Sequence, residues 1–69
     1  MNETYEVWVM MNNQNDVITE EYDTPEKALE EMTDKWGYTL DHLRENCFTL
    51  NKLLCTDGQW LECLEEIEY

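Results

Sequence analysis

Cations are scarce in this chain: four lysines and arginines stand against seventeen aspartates and glutamates, a formal charge of −13 on 69 residues. A nucleic-acid backbone is held by a Lys/Arg footprint, so the shortage excludes ordinary nucleic-acid binding, and the same repulsion disfavours anionic membranes. Glycine is rarer still. Two glycines in total leave neither a P-loop nor a dinucleotide fingerprint. No apolar run approaches the roughly 20 residues of a membrane span, and Met1 to Met11 lack the basic start and continuous apolar stretch of a secretion signal. The three cysteines, Cys47, Cys55 and Cys63, are an odd number, which excludes a complete disulfide framework within one chain. The expected setting is the cytoplasm, with reduced thiols.

Against these shortages, 42% of the residues are hydrophobic, with three Trp, four Tyr and one Phe to supply large buried areas. That composition is globular, and the length allows one core, so residues 1–69 are read as a single acidic domain.

Thr4 to Met11 reads as a strand, with Tyr5, Val7, Val9 and Met11 on one face and Trp8 and Met10 on the other. A polar loop from Asn12 to Asp16 and an extended stretch from Val17 to Tyr22 then suggest a first hairpin. Asp23-Thr24-Pro25-Glu26 is a helix start, with Thr24 as N-cap and Pro25 at the first helical position. Ala28, Leu29, Met32 and Trp36 form the apolar stripe of that helix, and Gly37 is placed to end it. A short helix capped by Thr39, with Leu40 and Leu43 buried, follows.

From Cys47 onward, Asp57-Gly58 marks a second hairpin that sets Leu54 opposite Leu61, Lys52 opposite Cys63 and Phe48 opposite Ile67. A C-terminal helix is the rival, because Trp60, Leu61, Leu64 and Ile67 also fall at helical spacing. The expected fold is α+β: a small antiparallel sheet from two hairpins, with one long and one short helix packed on one face. Trp8, Met10, Leu53 and Trp60 would then lie on the uncovered face as an apolar patch.

Candidate catalytic and metal sites are thin. His42 and Cys47 are five residues apart without an obvious orienting group, so no nucleophilic site is expected. The cysteines stand eight residues apart, unlike the close pairs of structural zinc sites. Asn12, Gln14, Asp16, Glu20 and Asp23 alternate faintly like a calcium loop but lack its glycine. No enzyme activity, cofactor or metal is expected.

The acids carry more information. Glu26, Glu30 and Asp34 follow one another at four-residue spacing away from the apolar stripe, and Asp41 and Glu45 repeat the spacing on the short helix. Lys27 and Lys35 are each placed to pair with Glu31, and Arg44 with Asp41. Such carboxylate rows, about 6 Å apart along a helix, present negative charge to a groove that normally takes a nucleic-acid backbone. A solvated surface is the plainer alternative.

With its short α+β layout, its Asp23-Thr24-Pro25-Glu26 helix start, its Thr56-Asp57-Gly58-Gln59-Trp60 turn and its acid excess, the chain resembles the small acidic inhibitors of phages and mobile elements, anti-CRISPR proteins and DNA mimics among them. The resemblance is one of style and transfers no functional residue; it implies inhibition by binding. The expectation is therefore a non-catalytic protein that binds a basic, nucleic-acid-binding partner through Glu26, Glu30, Glu31, Asp34, Asp41 and Glu45. The alternative is an interaction module or homodimer using the apolar face around Trp8, Met10, Leu53 and Trp60.

Overall fold

Thr24 and Pro25 start the first helix as their chemistry requires. The Thr24 hydroxyl accepts from the Lys27 N–H at 3.4 Å while its own backbone stays extended, and Pro25 opens α1, Pro25–Glu30. In this computed structural model, which describes residues 3–69, α1 runs directly into a single π-helical turn, Glu31–Lys35, closed by the Trp36 N–H on the Glu31 carbonyl at 3.1 Å. Gly37, at φ +76°, ends the helix, and the Tyr38 N–H returns to the Met32 carbonyl. The wider turn rotates later side chains away from the predicted stripe. Trp36, expected to be buried on that stripe, is instead 55% exposed.

Thr39 caps α2, Leu40–Glu45, by accepting from the His42 N–H at 3.1 Å. Leu43 is fully buried, whereas Leu40, predicted to share its buried side, is exposed.

Three antiparallel strands, β1 (Tyr5–Met11), β2 (Thr49–Thr56) and β3 (Gln59–Ile67), form a sheet in the order β1-β2-β3. The domain is thus α+β, with two helices and a three-stranded sheet. The predicted second hairpin is β2–β3, and both turn residues, Asp57 (φ 49°) and Gly58 (φ 77°), have the positive φ of a type I′ turn. Gln59–Ile67 is strand, not the rival helix.

The predicted first hairpin is not regular. Val17–Tyr22 runs beside β1 but makes only isolated bridges, Met11 with Val17 and Trp8 with Tyr22. Its middle is broken by Thr19, whose buried hydroxyl accepts the Met10 N–H at 3.0 Å in place of a backbone carbonyl. The loop before it is closed by Asn12, whose side chain accepts from the Gln14 and Asp16 N–H groups, while Asn15 takes φ 62° where a glycine was missing.

The core has two parts. Met10, Leu50, Ala28, Met32 and Leu43 pack between sheet and helices, with Trp8 and Tyr22 partly buried against them. On the far face, Val7, Val9, Leu53 and Cys55 are buried with help from Met11 and Val17. The parity predicted for β1 is therefore reversed: Met10 pairs with Leu50 and faces the helices, and the valines face away. Alternation did not decide this because both faces of β1 are apolar; the larger Trp8 and Met10 fill the gap beneath the helices.

Candidate partner-binding surfaces

Five of the six predicted acidic residues are exposed: Glu26 and Glu30 on α1, Asp34 in the π turn, and Asp41 and Glu45 on α2. The four-residue row is continuous only from Glu26 to Glu30, because the i→i+5 turn displaces Asp34 from it. Glu31 does not belong to this surface.

Glu31 is 6% exposed and points inward. Its carboxylate accepts from the Tyr22 hydroxyl at 2.5 Å, the Trp36 indole N–H at 3.2 Å and the Glu20 backbone N–H at 3.3 Å. Burial pushes the Glu31 carboxyl up, but these hydrogen bonds and nearby Lys35 outweigh it and hold the group below the usual carboxylate range. The same contact raises Tyr22, chiefly through its hydrogen bond to Glu31, to about 12. A buried carboxylate with three donors fastens the helix to the Val17–Tyr22 segment, which is a structural role. The expected pairing of Lys27 with Glu31 is absent; Lys27 turns to Asp23 at 2.9 Å and, by that contact, holds the Asp23 carboxyl low.

Ion pairs neutralise little of the rest. Among the described residues they are Lys27–Asp23, Arg44–Asp41 at 3.7 Å and Lys52–Glu6 at 3.2 Å. Arg44–Asp41 is the predicted pair. Arg44 is also committed to the C-terminus, where it donates to the Tyr69 carbonyl and lies 5.6 Å from the Tyr69 ring centre.

The predicted apolar patch does not form on one face. Met10 is fully buried and Trp8 half-buried under the helices, whereas Leu53 is buried on the opposite side of the sheet. Of these four only Trp60, at 44%, is substantially exposed, and Leu61 and Leu64 are the other exposed large apolar residues of β3.

Those leucines expose a feature that periodicity did not predict. The β2–β3 register steps by one residue between Cys55–Trp60 and Leu54–Glu62, and again between Leu53–Cys63 and Lys52–Glu65. Leu61 and Leu64 are the extra residues of two β-bulges. The predicted pairs Leu54–Leu61 and Lys52–Cys63 are accordingly replaced by Leu54–Glu62 and Lys52–Glu65, and Ile67 pairs with Leu50 rather than Phe48. Between β3 and the 12–17 loop, the far face opens into two adjoining hollows of about 550 and 310 Å³. Both are open to solvent beside Met11 and Cys63, with Asp16 and Glu66 among their walls.

His42 stacks on Tyr38 with ring centres 4.7 Å apart, and its Nε2 lies 3.4 Å from the Asn46 side-chain amide. Cys47 and Cys63 are exposed, and burial pushes the Cys55 thiol up. Among the described residues, no group of three His, Cys, Asp or Glu side chains is placed to hold a metal ion, and no helix is long and apolar enough to cross a membrane.

Compared with known proteins, the chain matches no family model, no curated protein and no solved structure.

Proposed function

We propose that this protein is a non-catalytic inhibitor that acts in the cytoplasm by occupying a basic, nucleic-acid-binding surface of another protein. Glu26, Glu30, Asp34, Asp41 and Glu45 supply the electrostatic face; Glu31 supports it from below by fastening the helix to the Val17–Tyr22 segment. The observation that carries the reading is the exposure of these five carboxylates on one helical layer, where, among the described residues, Asp41 alone has a cationic partner. Repulsion among such charges costs about 0.2–0.5 kcal/mol per neighbouring pair on a helix, and a cationic groove removes it on binding.

The test is affinity capture at low and high salt, followed by displacement with DNA or RNA. A nucleic-acid-binding protein retained at low salt, released by salt and displaced by nucleic acid supports the proposal. Recovery of no such protein at low salt contradicts it.

A further inference from the structure

β3 is an edge strand, and among the described residues no strand pairs with its outer side. At the other edge of the sheet, β1 is covered by the Val17–Tyr22 segment: Trp8 and Tyr22 exchange backbone hydrogen bonds at 2.7 and 3.0 Å, and the Met10 carbonyl accepts from Ile18. No described strand plays that part for β3, whose residues from Gln59 to Glu66 are all exposed. A nine-residue edge with Trp60, Leu61 and Leu64 in water is a template for another strand.

The charges on β3 select the occupant. Gln59–Ile67 contains Glu62, Glu65 and Glu66 and no cation, and no ion pair among the described residues includes a β3 side chain. Lys52 is opposite Glu65 in register but reaches Glu6 instead. A second copy would bring the same glutamates and another −13 to the edge, so self-pairing is opposed by charge, whereas the bulges bear equally on any incoming strand.

We propose that the β3 edge binds an extended, cationic segment of a partner protein, which adds a fourth strand to the sheet. The register favours alternating lysine or arginine with apolar residues. Glu62 and Glu65 stand opposite Leu54 and Lys52, on the helix side of the sheet; Trp60 and Cys63 stand opposite Cys55 and Leu53, on the far side. A docked strand therefore sets its cations beside the two glutamates and its apolar side chains beside Trp60. The inference shares with the proposed function only the premise of a cationic partner, and does not need the helical face.

The test titrates the full chain, with backbone amide NMR as readout, using a peptide of about ten alternating lysines and valines. Two comparison peptides accompany it: one N-methylated at alternate peptide nitrogens, which blocks strand pairing while keeping the charge, and one with its lysines clustered. The alternating peptide is expected to shift the amides of Gln59–Ile67, and N-methylation to weaken binding by at least about tenfold, the loss of a few backbone hydrogen bonds. Glu62→Gln, Glu65→Gln and Glu66→Gln together, all at exposed positions, weaken it further, while Glu26→Gln with Glu30→Gln changes it by less than about twofold.

Equal binding of the methylated or clustered peptide overturns the proposal, as do shifts confined to the helices or a β3-dependent dimer in sedimentation. Retained peptide pairing with no competition against nucleic acid refutes the helical-face reading alone, and the converse result refutes this one alone.

Discussion

The Tyr22 hydroxyl donates to the Glu31 carboxylate across 2.5 Å, joining the segment that flanks β1 to the point where α1 widens into its π turn. Trp36 and the Glu20 N–H complete the cluster. Replacing Glu31 removes the common acceptor of three partly buried hydrogen bonds, so Glu31→Ala is expected to destabilise the fold by about 1–3 kcal/mol, with Glu31→Gln less costly because an acceptor oxygen remains. Urea denaturation of the three proteins measures this.

The same pair sets two pH windows. Glu31 lies below its ordinary value when folded, so its contribution is complete above the unfolded-state value of about 4.3 and is lost as the pH falls through the folded one. Because protonating the other carboxylates relieves their repulsion, the readout is the stability difference between wild type and Glu31→Gln, which should shrink on acidification. Tyr22 is raised to about 12, so its contribution is complete below the unfolded value of about 10 and lost as the pH rises toward 12. Thermal melts of wild type and Tyr22→Phe should converge in that alkaline range.

Neutralising the helical acids is expected to separate binding from folding. Glu30→Gln and Asp34→Asn change exposed side chains that make no ion pair among the described residues, so stability should stay within about 0.5 kcal/mol of wild type. Affinity for the captured partner and its salt dependence should both fall.

Backbone strain alone governs the two glycines. Gly37 and Gly58 have φ of +76° and +77°, and a Cβ added at either meets nothing within 4 Å. Gly37→Ala and Gly58→Ala should each cost about 1–2 kcal/mol, the left-handed penalty without a steric one. A much larger loss at either site in chemical denaturation would point to a clash that the geometry does not contain.

Thiol accessibility checks the burial pattern. Cys47 and Cys63 are exposed, whereas Cys55 is fully buried and its thiol is raised by burial. Two thiols per chain should react rapidly with an aromatic disulfide under native conditions, and the third only on unfolding.

Local chemistry made much of this legible in the sequence. Thr24-Pro25 and Thr39 start their helices, Gly37 ends the first, and Asp57-Gly58 turns the last hairpin, because each signal is complete within a few residues. The features that were missed depend on distant partners. Both faces of β1 are apolar, so periodicity left its orientation undecided until Met10 met Leu50. The bulges at Leu61 and Leu64 arise where β3 is matched to β2, and no residue within β3 announces them. Glu31 looked like one more surface acid, since its inward turn requires Tyr22, nine residues earlier, and a π turn that the composition does not signal. On the helices the outward acids were read correctly as exposed except for that one.

The most direct test of the central claim is a competition titration between this protein and DNA or RNA for the captured partner, repeated across a range of salt. The account predicts mutually exclusive binding, an affinity that falls steeply as salt rises, and a shallower fall when Glu26, Glu30, Asp34, Asp41 and Glu45 are converted to their amides. A ternary complex with nucleic acid, or an affinity indifferent to salt and to those substitutions, would contradict it.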